Sequence, residues 1–104
     1  MQTQLKRGFL EASVLALLAR GDSYGYGIVR EAPEALEFTE STLYPVLRRL
    51  AKDGCLREYK SEHNGRLRKY YSITDAGRNR LEEFLADAAD IESVLDFIRK
   101  GVQQ

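Results

Sequence analysis

The sequence predicts a mainly α-helical domain that contains one small β-hairpin, an α+β fold. Three observations predict it: apolar residues recur at helical spacing, a two-residue turn separates two strand-like stretches, and the last stretch suits one extended helix. With 104 residues, 43% of them apolar and 31% charged, the chain has the composition of a single globular domain. We expect residues 1–74 to form its compact part and residues 75–104 the extended helix.

The first helix is predicted over residues 6–20, and Gly21 ends it. Its core-facing residues recur three or four positions apart: Leu10, Val14, Leu17 and Leu18. Leu5, Phe9 and Leu15 fall outside that stripe. So much apolar surface indicates that the helix is covered on a second side, with another subunit as one candidate for that cover.

The second helix contains two glycines, which lower its intrinsic helix propensity. Ser23 is predicted to cap this helix and Pro33 to end it. Because Gly25 and Gly27 lie inside it, we expect another group to approach the backbone closely there. The first helix and a phosphate are the two candidates for that group.

The third helix is predicted to follow a short extended piece at residues 36–38, with Thr39 or Ser41 as its cap. Its buried stripe has the spacing i, i+3, i+4, i+7: Leu43, Val46, Leu47 and Leu50. The opposite face is polar: Ser41, Thr42, Tyr44, Pro45, Arg48 and Lys52. Pro45 lacks an amide hydrogen, so the helix either begins about one turn earlier or bends there. Taken alone, this face is as consistent with a solvated surface as with a binding surface.

A β-hairpin is predicted around Asn64-Gly65, a strong type I′ turn sequence. That turn sets the register of the two strands. It pairs Leu56 with Ile73, Glu58 with Tyr71, Tyr59 with Tyr70, and Lys60 with Lys69. The Lys60–Lys69 pair brings like charges together, and Arg66 and Arg68 add charge towards the tip. We expect the tip to be mobile until DNA phosphates relieve this repulsion.

The net charge of zero hides a strong segregation of charge along the chain. Residues 44–80 hold ten Lys and Arg against four Asp and Glu, a net charge of +6, whereas residues 81–104 hold two against six. Such a local field attracts polyanions whatever the overall pI. A basic helix that leads into a basic two-stranded ribbon is typical of a winged helix-turn-helix that binds double-stranded DNA. We therefore predict such a DNA-binding domain at residues 1–74.

The last helix is predicted to begin at Thr74-Asp75 and to continue to about Lys100. Its apolar residues alternate steps of three and four: Leu81, Phe84, Ala88, Ile91, Leu95, Ile98 and Val102. This heptad seam predicts pairing with a second copy, because a small domain cannot bury it all. Residues 81–85 are expected to pack on their own domain. The homodimer interface is predicted at Phe9, Phe84, Ala88, Ile91, Leu95 and Ile98. A two-fold dimer would bind a pseudo-palindrome with half-sites about one helical turn apart.

Catalysis and metal binding find no support in the sequence. Cys55 is the only cysteine and His63 the only histidine, so His63 has no Cys or His partners for a zinc site, and no pattern of a serine or cysteine nucleophile beside a base is recognisable. We predict no enzyme activity, no cofactor and no metal. Cys55 is expected to be buried and His63 to be solvated at the hairpin turn. The chain has no apolar run of about 20 residues and no signal peptide at its start, so a cytoplasmic location without membrane contact is expected.

Three blocks of the sequence resemble the PadR-like family of transcriptional regulators. GFLEASVLALLARGDSYGYGI is similar to the family's first helix and Tyr-Gly-Tyr second helix, STLYPVLRRLAKDGCL to its recognition helix, and GRLRKYYSITDAGRNRL to its wing and the start of its dimerisation helix. The resemblance implies a homodimeric winged helix-turn-helix repressor of the short form with a single C-terminal helix. It implies a DNA-facing set: Tyr24, Ser41, Thr42, Tyr44, Arg48, Arg66, Arg68 and Lys69.

Repression by occlusion of a promoter is the expected mechanism. Ser41, Thr42 and Tyr44 would read base edges in the major groove, with Arg48 as a further candidate, while the other basic and tyrosine side chains hold phosphates. The competing interpretation is a winged-helix protein-protein interaction module with no specific DNA target, whose basic hairpin faces an acidic partner. That alternative predicts binding that ignores DNA sequence.

A small aromatic effector at the dimer interface is a further candidate partner. Some small PadR-like proteins bind flat aromatic compounds there, between stacked tryptophans. This chain has no tryptophan, and the corresponding stretch of its last helix reads LADAADIESV. Stacking would therefore fall to Phe9, Phe84 or Phe97, and the sequence leaves the existence of an effector open.

Overall fold

A three-stranded antiparallel sheet in the order β1-β3-β2 joins a cluster of three helices to one long terminal helix. The computed structural model describes residues 3–103, with side chains from Lys6 to Gln103. Its elements are α1 Thr3–Arg20, β1 Ser23–Tyr24, α2 Gly25–Glu31, a 3-10 turn Glu34–Leu36, α3 Glu40–Lys52, β2 Leu56–His63, β3 Arg66–Ile73 and α4 Asp75–Val102. The predicted mainly α fold with one hairpin is confirmed.

Helix α1 is covered on both sides by its own chain. It begins at Thr3, earlier than predicted. Leu15 is 1% exposed and belongs to the central core, although it lies outside the predicted stripe. Phe9 meets Phe84 of α4 edge to face, with ring centroids 5.4 Å apart. A second subunit is therefore not needed to cover Leu15 or Phe9, while the Leu5 side chain lies outside the described residues.

The start of α2 differs from the prediction. Ser23 does not cap the helix, because Ser23 and Tyr24 form the short strand β1, opposite Tyr71 and Tyr70 of β3. Tyr24 is the N-cap residue, and its side chain makes no capping hydrogen bond. A tyrosine beside a sheet edge gains more from cross-strand packing than from a helical turn, so tertiary contacts override the local preference.

The segment before α3 is a 3-10 turn instead of the predicted extended piece. Leu36 ends this turn and is 4% exposed, and Glu37 then adopts a left-handed conformation with φ 53°. Burial of Leu36 against the helices explains the difference, since an extended path would carry this side chain away from the core.

Helix α3 follows the predicted pattern closely. Thr39 is the N-cap residue and forms a capping box with Thr42. The helix begins at Glu40, so Pro45 lies about one turn inside it, where its missing amide hydrogen removes one helical hydrogen bond. The predicted stripe is confirmed as core, with every member at most 3% exposed: Leu43, Val46, Leu47 and Leu50.

The hairpin has the predicted turn and register. Asn64 and Gly65 have φ values of 52° and 76°, the positive values that a type I′ turn requires. The pairs Leu56–Ile73, Glu58–Tyr71, Tyr59–Tyr70 and Lys60–Lys69 all form. Leu56, Tyr71 and Ile73 are buried and anchor the base of the ribbon on the helices, which leaves its tip projecting.

Helix α4 leaves the compact part of the molecule after about four turns. Thr74 caps it by accepting the Gly77 N–H at 3.1 Å, and Leu81 packs on the core. Leu85, expected to pack there too, is 59% exposed because it faces away from the domain. Residues 89–103 are all exposed, and the described molecule measures 60 × 26 × 21 Å. Among residues 3–103, no helix combines the length and apolar character of a membrane span.

Candidate nucleic-acid interface

The N-terminal end of α3, the start of α2 and strand β3 enclose an open groove of about 580 Å³. Four of the predicted DNA-facing residues line it: Tyr24, Tyr44, Arg68 and Lys69. The other four are not among its lining residues; Ser41, Thr42 and Arg48 are exposed on α3, and Arg66 is exposed next to the hairpin turn. The fold therefore divides the predicted set among the groove, the outer face of α3 and, for Arg66 alone, the hairpin tip.

Three exposed residues of the groove were missed by sequence reasoning: Tyr26, Arg30 and Glu40. Tyr26 is 57% exposed, and the Arg30 guanidinium lies 5.6 Å from the centre of its ring. Glu40 is the first residue of α3 and contributes a carboxylate to the same groove. The spacing of Tyr26 and Arg30 by four residues on α2 is a pattern that could have identified them. A carboxylate there disfavours a phosphate and favours a donor such as the amino group of cytosine.

The hydroxyl groups at the start of α3 are occupied by the helix cap. Thr42 Oγ1 donates to the Thr39 carbonyl oxygen at 3.0 Å and accepts from the Thr39 N–H at 2.9 Å. Ser41 Oγ lies 3.0 Å from Thr39 Oγ1. Because the Thr42 hydroxyl is already paired, its methyl group is the part left for a base contact, and a thymine methyl is the matching partner.

Tyr44 explains why Gly25 is a glycine. A Cβ atom at Gly25 would lie 3.1 Å from the Tyr44 hydroxyl, and one at Gly27 would lie 2.9 Å from Ser23 Oγ and 3.2 Å from the Tyr24 ring. The atoms nearest to both glycines belong to side chains of α3 and β1 and not to α1, whereas the approach of a phosphate remains a prediction. The close approach to Gly25 seats Tyr44, which is 45% exposed, against the backbone of α2.

The hairpin of β2 and β3 forms the wing, and its predicted DNA-facing cations have different neighbours. Lys69 lies 3.6 Å from Glu58, the residue diagonal to it on the neighbouring strand, and this ion pair offsets the predicted Lys60–Lys69 repulsion. The Arg68 guanidinium lies 4.7 Å from the centre of the Tyr24 ring and is partly covered by it. Arg66 is fully at the surface next to the turn. Mobility of the tip remains a prediction.

Among the described residues, three titratable groups have clearly shifted pKa values, and of these only Tyr71 lines the groove. Burial raises the pKa of Tyr71 to about 12, with smaller contributions from the negative charge of Glu58 and from Tyr44. The hydrogen bond to Asp22 raises the pKa of Tyr59, and the one to Asp53 raises the pKa of Arg80. All three groups keep their protons near neutral pH, so none is poised as an acid or a base.

The remaining chemistry-bearing residues do not assemble into a reactive site. Cys55 is buried at 2% exposure and His63 is exposed at the turn, as predicted. Within residues 3–103, no group of three or more His, Cys, Asp or Glu side chains is arranged to hold a metal ion. What the groove offers is a concave cationic and aromatic surface, which suits recognition of a polyanion.

The predicted dimer residues fall into two groups. Phe9 and Phe84 pack on each other and Ala88 is half-buried, all within one chain. Ile91, Leu95 and Ile98 are 44%, 41% and 55% exposed. The predicted heptad seam leaves out Val94 and Phe97, which are 57% and 78% exposed and widen the apolar surface of α4; from the sequence, Phe97 is a candidate only for stacking on an effector.

Comparisons with known proteins point in the same direction. A family model described as the transcriptional regulator PadR-like family matches residues 14–83. A Streptococcus transcriptional regulator is 31% identical, with a TM-score of 0.83 over 94% of this chain and 99% of that one. A PadR family transcription regulator from Clostridium difficile R20291 is 29% identical, with a TM-score of 0.78; the match covers 86% of this chain and 97% of that one. Bacillus subtilis PadR, solved in complex with operator DNA, is 28% identical, with a TM-score of 0.64; the match covers 74% of this chain and 45% of that one.

Proposed function

Because the chain belongs to the PadR-like family of transcriptional regulators, which bind DNA and are not enzymes, we propose that it is a homodimeric repressor of a pseudo-palindromic operator. Repression would follow from occlusion of the promoter. The observation that supports this most directly is the groove in which Tyr24, Tyr44, Arg68 and Lys69 converge. A regulator of this kind acts where the chromosome is, in the cytoplasm.

The proposed division of roles follows from the position of each side chain. Helix α3 has the exposed N-terminal face that enters a major groove, with Ser41, the Thr42 methyl and Tyr44 directed at base edges. Arg48 lies one turn further along the same exposed face, where it is a further candidate for a base contact. The wing, with Arg66, Arg68 and Lys69, and Tyr24 of β1 would hold phosphates without reading sequence: this supplies affinity, while α3 supplies specificity.

Dimerisation through α4 is the second element of the proposal. Its last four turns expose Ile91, Leu95 and Ile98 on one stripe, and an isolated chain would leave that stripe in water. Pairing two such helices about a two-fold axis buries the stripe and duplicates the DNA-binding groove. Phe9 and Phe84 would then support the interface from within each chain, where Ala88 permits close approach.

Control by a small aromatic effector would need a pocket that both subunits complete. The cavity between α1 and α4, lined in part by Gly8, Leu15 and Phe84, measures only about 70 Å³. Pockets for drug-sized ligands measure roughly 300 Å³ or more, so one chain alone does not hold an aromatic compound here. An effector would therefore bind between the two subunits, and it would change DNA binding by separating them or by shifting one relative to the other.

Selection of bound fragments from the source genome, followed by fluorescence anisotropy on the best duplex, tests the function. We expect preference for a two-fold symmetric site by at least about 1,000-fold over random duplex at physiological salt. Arg68→Ala and Lys69→Ala should each flatten the slope of log affinity against log salt by about one unit. Lys100→Ala, on the acidic helix α4, is the matched control and should leave the slope unchanged.

Two outcomes would contradict the proposal. Equal affinity for the selected and the random duplex would favour the protein-interaction alternative, in which the basic wing meets an acidic partner. Sedimentation of an 11.9 kDa monomer that still binds the selected site with full affinity would remove the dimer from the mechanism.

A further inference from the structure

A ladder of aromatic side chains crosses the sheet on the face opposite its buried residues. Tyr59 donates a hydrogen bond to Asp22 Oδ2 at 2.6 Å and stacks on Tyr70, with ring centroids 5.8 Å apart and planes 20° apart. Tyr70 meets Tyr24 edge to face at 5.6 Å and 63°. The Arg68 guanidinium lies over the Tyr24 ring, 4.7 Å from its centre. We call these five residues the Asp22–Arg68 ladder.

The strand register explains why the rings meet. Tyr70 of β3 is the direct partner of both Tyr24 in β1 and Tyr59 in β2, so each strand contributes one ring to the same face. Arg68 lies two residues before Tyr70 and therefore points to that face as well. Lys69 lies between them and points to the other face, where it pairs with Glu58.

The two ends of the ladder differ in what they attach to. Asp22 lies in the connection between α1 and β1, so its hydrogen bond ties β2 to the helical body of the molecule. Hydrogen bonds to a charged acceptor are about twice as strong as neutral ones. Arg68 takes part in none of the ion pairs found among residues 6–103, and its charge is held by a ring instead of a carboxylate. A guanidinium held that way keeps its N–H groups available to an anion.

We propose that Asp22, Tyr59 and Tyr70 are positioning residues for DNA binding, which hold Tyr24 and Arg68 at the edge of the groove. This inference rests on the proposed DNA-binding function and assigns a role to three residues outside the DNA-facing set. A long side chain that is already oriented loses less conformational freedom when it meets a phosphate. Release of the ladder should therefore weaken DNA binding through Arg68 without removing any group that touches DNA.

A double-mutant cycle on DNA affinity tests the role. Tyr59→Phe keeps the ring and removes only the hydroxyl that bonds Asp22, and we expect it to weaken binding of the selected duplex about fivefold. In an Arg68→Ala background the same change should have almost no effect, because the group that it positions is gone. In a Lys69→Ala background it should keep its full effect, since Lys69 lies on the other face. Asp22→Ala removes the acceptor of the same hydrogen bond and should weaken DNA binding by about the same factor as Tyr59→Phe.

A second measurement needs no DNA. The Arg68 Nε–H resonance in an NMR spectrum should be displaced by the Tyr24 ring current in the wild type, and the displacement should shrink in Tyr59→Phe. Urea unfolding of each variant separates loss of fold from loss of position. Fivefold weakening that persists in the Arg68→Ala background, or an unchanged Arg68 resonance, would overturn the positioning role while leaving the proposed function intact. Failure of the wild type to bind duplex DNA would overturn both.

Discussion

Replacement of Gly77 by alanine should destabilise the fold, although alanine is the better helix former. Gly77 lies in the first turn of α4, and its N–H bonds Thr74 Oγ1. A Cβ atom there would overlap the carbonyl oxygen of Cys55, lie 3.1 Å from its carbonyl carbon and lie 2.8 Å from Ile73 Cγ1. The close neighbours are backbone and a buried side chain, so neither can move aside freely.

The magnitude follows from the opposing terms. Alanine in place of glycine inside a helix gains about 1 kcal/mol. Carbon atoms pack best at about 3.5–4.0 Å, so Ile73 or the helix would have to shift by roughly 1 Å, and overpacking of this kind costs about 1–3 kcal/mol. The Cys55 carbonyl also accepts the Thr74 N–H at 3.1 Å, and its displacement would forfeit about 1 kcal/mol more. We expect a net loss of about 2 kcal/mol, or roughly 8–16 °C in melting temperature.

Urea unfolding followed by circular dichroism measures this loss, with Gly101→Ala as the matched control in the same helix. A Cβ atom at Gly101 meets nothing within 4 Å, so that substitution should be neutral or stabilise by up to about 1 kcal/mol. Both variants must be compared at the same protein concentration, because dimer formation contributes to stability. A Gly77→Ala protein as stable as the wild type would refute the reasoning, since the close packing of α4 on the Cys55 carbonyl and on Ile73 of β3 would then be wrong.

Three further predictions concern protonation, capping and charge. The pKa of Tyr71 rises to about 12 on folding, so the protonated phenol stabilises the fold fully below about pH 10, and this contribution is lost as the pH approaches 12. In urea unfolding, Tyr71→Phe should therefore lose less stability at alkaline pH than the wild type does, by about 2 kcal/mol. Thr39→Ala removes the cap of α3 and should lower stability by about 1 kcal/mol in the same assay, whereas Ser41→Ala should change it by less than half of that. Glu58→Gln frees Lys69 from its ion pair and should steepen the salt dependence of DNA binding in anisotropy titrations, with stability within about 0.5 kcal/mol of the wild type. Equal stability of the two capping variants, or an unaltered salt slope, would contradict the last two.

The parts of the fold that local chemistry dictates were predictable from the sequence. The Asn64-Gly65 turn allows essentially one hairpin geometry, and that geometry sets the entire strand register. The buried stripe of α3 followed from helical period alone. Strand β1 was not predictable, because Ser23 and Tyr24 resemble a helix start until Tyr70 is placed beside them. The burial of Leu15 likewise depends on α4 returning across α1.

In the candidate site, too, the features set by local sequence were predictable and those set by tertiary contacts were not. Cationic residues on the wing and polar residues on α3 were identified from charge and spacing. The contacts that orient them were not, because the Gly25–Tyr44 approach and the Asp22–Tyr59 hydrogen bond each join residues about twenty or more positions apart. Arg30 was overlooked since it lies outside the strongly basic middle segment and reaches the groove only through the packing of α2.

The short segment from Asp22 to Gly25 contacts both the recognition helix and the wing. Gly25 receives the Tyr44 hydroxyl of α3, and Asp22 and Tyr24 hold Tyr59 and Arg68 of the hairpin. A winged helix-turn-helix binds tightly only when both parts meet the duplex in register, since a shift of about 1 Å in either loses base or phosphate contacts. Three residues of this segment, Asp22, Tyr24 and Gly25, therefore link the recognition helix to the wing. Substitution of Asp22 or Gly25 should therefore weaken DNA binding even though every DNA-facing residue is kept.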